Sequence, residues 1–196
     1  MALQAQEENS EPLIIVSSNA VILRDALAAD VKSYVRWMNQ GEWQQYDAPW
    51  EIEYLSRDEH EVRKMFSERY MRNLSSPRSR AIIATREHKP LGWVNRYVEE
   101  RFPDAWFIGI DICEDDYLNK GIGTEALKLW VDYLFAKSNI HRIGLATYSF
   151  NPRMIRVAEK LRFRHEGADR EIIRWQDEWV DRLHFGVLRN EWRGPM

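Results

Sequence analysis

The stretch from Trp106 to Tyr133, WFIGIDICEDDYLNKGIGTEALKLWVDY, constrains the fold more than any other. Trp106 to Ile112 is an apolar run of strand length, broken by one ionisable residue, Asp111. Asp115 and Asp116 mark a loop. Gly121 and Gly123 then open a helix in which Ile122, Ala126, Leu129, Trp130, Tyr133 and Leu134 recur on one stripe. The first turn of a helix carries N–H groups without intrahelical partners and the positive end of the macrodipole. Glycines there let backbone approach a phosphate closely. The stretch therefore predicts a strand, a short loop and a helix start suited to an anion.

Two familiar phosphate loops are tested by spacing. A Walker loop needs Gly-Lys-Ser/Thr at its end, but here Lys120 precedes Gly121 and Ile122 follows it. A dinucleotide loop matches the letters Gly121, Gly123 and Ala126. However, eight residues separate Ile112 from Gly121, and His141 stands near where an acidic residue should close the second strand.

The third option is carried by two segments. LNKGIGTEAL, from Leu118, resembles the pyrophosphate loop and helix start of the GCN5-related N-acetyltransferase (GNAT) superfamily, specifically its RimJ/RimL-like branch. NPRMIRVAEKLRFRHEG, Asn151 to Gly167, is similar to that family's second signature, and the similarity runs from about Ala20 to Trp192. There are departures. Leu118 stands where Gln or Arg is usual, Met154 where many relatives have Ser, Ala158 where others have Tyr, and Arg162 where Gly is usual.

Composition agrees with an enzyme of this kind. The 196 residues carry 30% charged side chains and a formal charge of −3, which gives no basic bias toward nucleic acid. No apolar run reaches membrane-spanning length. The lone Cys113 excludes an intrachain disulfide framework, and it reads as a small residue at a strand end more readily than as a nucleophile. A cytoplasmic protein is expected, with residues 1–18 a flexible N-terminal segment and residues 19–196 a single acetyltransferase domain.

In chain order, strands are expected at Ala20–Arg24, Ala81–Thr85, Leu91–Val98, Trp106–Ile112, His141–Phe150, Glu171–Trp175 and Trp179–Leu188. Asp30 is expected to cap a helix to Asn39. Ser56 with Glu59 reads as a capping box for a helix from about Arg57 to Met71. A further helix runs from Pro152 to Leu161, with Pro at the favoured first position. The pattern predicts an α/β (α+β) fold: a mixed sheet of about seven strands with helices on both faces. The resemblance adds a splay between the fourth and fifth strands.

The resemblance implies acetyl transfer from acetyl-CoA, a co-substrate, to a primary amine, with no metal. The acceptor would be a protein N-terminus, a polyamine, an aminoglycoside or another small amine. A non-catalytic acyl-CoA-binding or sensor protein is the alternative. Asn119, Lys120, Gly121, Ile122, Gly123 and Thr124 are expected at the pyrophosphate. Ile110 and Ile112, beside Ala146 to Ser149, are expected along the pantetheine arm, with Asn151 bonding that arm or capping its helix. Arg156, on one face with Arg153 and Lys160, either reaches the nucleotide phosphates or is simply solvated. Asp111 is the candidate general base, or else a structural carboxylate paired with an arginine such as Arg96. Glu99, Glu100 and Asp104 are possible bases acting through water. Tyr148 is the candidate proton donor. Trp43, Tyr46, Trp50 and Trp93 are candidate walls of the acceptor pocket. Trp175 and Trp179 are candidates for a homodimer interface.

Overall fold

Period-two alternation sorts the middle of the chain onto two sheet faces, and the helices follow. The computed structural model describes residues 12–51, 58–72 and 75–192. In chain order the elements are β1 (Ile14–Ser17), β2 (Ile22–Arg24), α1 (Val31–Asn39), α2 (Glu59–Phe66), β3 (Arg80–Ala84), β4 (Pro90–Val98), β5 (Ala105–Ile112), α3 (Ile122–Lys137), β6 (Arg142–Tyr148), α4 (Pro152–Lys160), β7 (Arg164–Trp175) and β8 (Glu178–Leu188). Among the described residues the strands form one sheet, ordered β1-β2-β3-β4-β5-β6-β8-β7. All neighbours are antiparallel except β5 and β6, which α3 joins as a parallel pair. This is the mixed sheet with helices on both faces that the pattern predicts.

Register decides which helix covers which residue. The rungs Ile82–Trp93–Asp111 and Arg80–Asn95–Gly109 lie on one face. There Ile82 and Trp93 join Tyr34 and Trp37 of α1 and Val62 and Phe66 of α2 in a buried cluster. The alternate residues Ala81, Ile83, Val94 and Ile108 turn to the other face and pack with α3 through Leu127, Trp130 and Leu134. The buried side of α3 is wider than its predicted stripe, taking in Leu127, Val131 and Phe135 as well. The helix packs on β1, β2, β4 and β5 and also against α4, so more than one of its sides leaves water.

Several expectations are corrected. The sheet has eight strands where about seven are expected, and the added one, Ile14–Ser17, lies inside the segment expected to be flexible and pairs antiparallel with β2. Strand β7 begins at Arg164, not Glu171. Its first half is charged and mostly exposed, so it is held by backbone pairing to β8 and leaves no apolar alternation to read. The turn at Gln176 and Asp177 takes positive φ at both residues (48° and 65°), as a tight hairpin requires. Trp175 packs 5.7 Å from Trp50 while Trp179 is exposed, so the two do not form one outward patch. Helix α2 gives way at Ser67–Met71 to a π-turn, and its N-cap is Asp58, which accepts from the His60 amide at 3.1 Å. Ser56 lies outside the described residues.

Asp30 does not cap α1. Its carboxylate turns inward and accepts two hydrogen bonds from the buried Arg24 guanidinium, at 2.7 and 2.9 Å, and one from the Leu27 amide at 2.8 Å. Arg24 also donates to the His88 carbonyl at 2.9 Å, so this pair ties the α1 turn to the β3–β4 turn. Removing one member of a buried pair strands the other charge. Asp30→Ala should therefore lose about 3–5 kcal/mol of unfolding free energy, read as a lower urea midpoint at unchanged m-value. A loss under about 1 kcal/mol, the range of an exposed pair, would contradict this role.

Candidate functional site

The parallel pair is short. Only Ala105–Phe107 pairs with Arg142–Gly144, although β5 continues to Ile112 and β6 to Tyr148. Their outer edges stay bonded to β4 and β8, so the facing inner edges diverge while the sheet holds on either side. A cavity of about 610 Å³ fills the gap. It is lined from the α3 face by Ile108, Ile110 and Ile112, and from the α1/α2 face by Gly109 and Asp111. The cavity thus passes through the sheet.

One end reaches the start of α3. The first helical bond runs from the Glu125 amide to the Gly121 carbonyl at 3.0 Å, which leaves the amides of Ile122, Gly123 and Thr124 outside the helical ladder. Gly121 is left-handed with φ 82°, and Asn119 likewise with φ 59°. A Cβ built on Gly123 would meet only Ile112, at 3.7 Å, so no protein atom demands glycine there. Leu118, Asn119, Gly121, Gly123 and Thr124 line the cavity. Lys120 and Ile122 do not line it, and Lys120 is exposed with its ammonium 5.8 Å from the Tyr117 ring.

Helix α4 forms the neighbouring wall. Arg156 and Lys160 are exposed at the rim. Arg153 lies on the same wall but is engaged elsewhere: it bonds Glu42 at 2.5 Å and lies 4.7 Å over the Tyr46 ring. Asn151 caps α4 by accepting from the Met154 amide at 3.0 Å, and its Nδ2 donates to the Tyr46 carbonyl at 3.2 Å. Ala146 and Tyr148 line the inner stretch.

At the other end stands Asp111, with Asp47 beside it. Burial pushes the Asp111 carboxyl well above the usual carboxylate range. The Asp47 charge pushes the same way, and a hydrogen bond from the Trp93 indole pulls partly back. Arg96 is not its partner. That guanidinium donates to the carbonyls of Arg78 and Pro77, at 3.1 and 2.9 Å, and lies 4.2 Å over Trp106. Cys113 is buried, and burial together with the nearby Asp111 carboxylate holds its thiol pKa well up.

The aromatic candidates divide. Trp43 and Tyr46 line the cavity. Trp93 is buried behind Asp111, its ring within 6 Å of Tyr34, Trp37 and Trp43, and it acts on the site through its hydrogen bond to Asp111. Trp50 does not line the cavity either; it sets its edge against Tyr148 at 4.7 Å. Burial raises the Tyr148 hydroxyl pKa, Arg182 works against that, and Glu51 and Asp47 add to it. Glu99, Glu100 and Asp104 lie outside the cavity lining.

Among the lining residues that the sequence did not point to are Asp47, Arg80, Asn95 and Tyr97. Three of them had a signal. Arg80, Asn95 and Tyr97 share the parity of Asp111 through the β3–β4–β5 register, so pairing the predicted hairpin would have put them on its face. Among the described residues no group of three or more His, Cys, Asp or Glu could hold a metal ion, and no helix is long and apolar enough to cross a membrane.

The chain is 34% identical over 81 residues to the uncharacterized N-acetyltransferase YnaD of Bacillus subtilis, covering 41% of this chain and 48% of that protein. It therefore spans about half the length of the curated relatives it matches. Spermidine N-acetyltransferase from Vibrio cholerae, solved with CoA and spermine, superposes with a TM-score of 0.73 at 18% identity, over 89% of this chain and 99% of that one. RimL, a ribosomal L7/L12 α-N-protein acetyltransferase solved with coenzyme A, superposes with a TM-score of 0.71 at 17% identity, over 89% and 97%. The model of the acetyltransferase (GNAT) domain matches residues 20–164, well over half of the sequence, and the chain belongs to that family.

Proposed function

We propose that this protein transfers an acetyl group from acetyl-CoA to a primary amine. One observation carries the reading: a single cavity joins the free amides at the start of α3 to a carboxylate on the opposite sheet face. The amides of residues 122–124 and the rim cations Arg156 and Lys160 suit a diphosphate and its nucleotide. The diverging edges of β5 and β6 present backbone groups to a peptide-like arm, which would lie between them as a pseudo-strand. Asn151 caps α4 and braces the wall of that channel, and its amide keeps a second N–H and a second lone pair with which to bond the arm.

At the inner end the attacking amine must be neutral. Asp111 is suited to take its proton, because a carboxylate with a raised pKa is a stronger base than an exposed one. As the amine nitrogen bonds to the thioester carbonyl carbon, the C–S bond breaks and the thiolate leaves. The Tyr148 hydroxyl, kept protonated by its raised pKa, is positioned along the same wall to return a proton to sulfur. The aromatic side chains of Trp43 and Tyr46 line the pocket that receives the acceptor. The relatives named above that act on spermidine and on a protein N-terminus mark the range of acceptors open to this fold.

Titration with CoA should give a saturable heat and a rise in melting temperature, and a panel of amines should release thiol from acetyl-CoA. Binding without turnover on any amine would replace transfer by sensing, and no binding would remove both readings. Gly123→Val should weaken CoA binding by tenfold or more, on the order of 1.4 kcal/mol. Its melting temperature should stay within a few degrees of wild type, since no protein atom crowds that Cβ.

Asp111→Asn should cut kcat on the order of a hundredfold, the usual scale of a lost general base, and flatten the rise of rate with pH. Stability gives an independent sign. A carboxyl whose folded pKa is raised binds more protons folded than unfolded, so its contribution falls as pH climbs above about 3.9, the unfolded value. From acid toward neutral pH, wild type should lose melting temperature relative to Asp111→Asn. Full acetylation by the variant, or parallel melting curves, would remove Asp111 from the role.

A further inference from the structure

The acceptor end of the cavity holds a cation that the transfer reading does not use. Arg80 opens β3 and lines the cavity. Most arginines near it are matched. Arg24 bonds Asp30, Arg78 bonds Asp25 and Arg153 bonds Glu42. Among the described residues Arg80 has no ion pair; its recorded contact is the Tyr70 ring, 5.8 Å away. A ring face offers no acceptor to the five guanidinium N–H donors. A half-buried guanidinium without a carboxylate is costly unless something else meets it.

Its cross-strand neighbour shows a matching vacancy of partners. Asn95 pairs with Arg80 across the sheet and also lines the cavity. Its Oδ1 is buried without a hydrogen-bond partner. Next along the same rung is Gly109, and a Cβ there would stand 3.0 Å from that oxygen, so the missing side chain leaves room for the Asn95 amide. This rung lies two residues along the strands from the rung of Asp111. Strand geometry sets the Cα atoms of Arg80 and Asp111 roughly 12 Å apart, and the long arginine side chain closes much of that. Arg80 makes no ion pair with Asp111, whose pKa is raised by burial first and by the Asp47 charge second. The acceptor end therefore holds a carboxylate pair and, two residues along the strands from Asp111, a cation without an ion pair among the described residues.

We propose that Arg80 forms a subsite for an anionic group on the acceptor, with the Asn95 Oδ1 beside it accepting a hydrogen bond from the linker. The preferred acceptor is then a zwitterion, a primary amine joined by a short linker to a carboxylate or phosph(on)ate, and not a polycation. The inference rests on the transfer reading for its amine end. A polyamine would bring its second ammonium against Arg80. An anion there gains charge-assisted, two-pronged bonds from the guanidinium, and a donor group on the linker would satisfy the Asn95 oxygen.

The test uses the full chain with acetyl-CoA and three length-matched acceptor sets: amino carboxylates, aminoalkylphosphonates, and diamines with uncharged alkylamines. At least one anionic set should exceed the other amines in kcat/KM by about ten- to a hundredfold, as one charged hydrogen-bonded pair provides. The better of the two anionic sets identifies the group. Arg80→Gln should erase the preference mainly through KM, and Arg80→Lys should restore part of it. CoA affinity should not change in either variant. Preference for diamines, or a preference unchanged in Arg80→Gln, would overturn the proposal while leaving transfer intact. Should no amine turn over although CoA binds, transfer fails and the subsite is read by calorimetry on the CoA complex. Binding of an amino carboxylate or aminophosphonate that Arg80→Gln abolishes would uphold it; equal or no binding would overturn it.

Discussion

Everything at this site depends on two strands that stop pairing. Backbone N–H and C=O groups inside a protein need partners, and a sheet ordinarily supplies them along its whole length. Here β5 and β6 share three rungs and then separate. The divergence is tolerable because each strand keeps its other neighbour, β4 through residue 112 and β8 through residue 148. The inner edges face a cavity instead of each other. An extended, amide-containing molecule is the chemical complement of two such edges.

Electrostatics divides the cavity into unlike ends. Cations and free amides gather at the rim, on α4 and at the start of α3. Two carboxylates lie at the inner end. For Asp111, burial and the like charge of Asp47 both favour the protonated form, and the Trp93 indole bond favours the ionised one. The first two win in direction. Trp93 is itself clamped by Tyr34, Trp37 and Trp43. Aromatic packing on the α1/α2 face is therefore coupled to the basicity of one carboxylate.

Much of this was legible in the sequence where a local rule governs the outcome. Gly121 and Gly123 had to open a helix, Pro152 had to begin another, and the apolar run around Asp111 had to be a strand. The failures share a cause: partners distant in sequence. Asp30 looks like a cap until Arg24, brought close by β2, claims it. The first half of β7 has no apolar period because β8 supplies its bonds and solvent takes its side chains. Asp111 was legible as an ionisable group in an apolar strand, but Asp47 beside it belongs to an irregular turn that no periodicity locates. Arg80, Asn95 and Tyr97 were recoverable only by committing to a register for the β3–β4–β5 meander.

A cavity through a sheet needs its walls fixed, since the elements lining it do not bond one another across the gap. The turn spanning residues 42–50 supplies that bracing. Its Glu42 amide donates to Asp115 at 3.0 Å, and its Glu42 carboxylate holds Arg153 of α4. Its Tyr46 carbonyl takes the Asn151 amide, and Trp50 seats on Tyr148 of β6. One irregular segment thus touches the loop before α3, the start of α4 and the end of β6, and contributes Trp43, Tyr46 and Asp47 to the lining. Polar ties of this kind are individually weak and exposed to competition from water. Several acting on one short turn hold the mouth of the cavity in register.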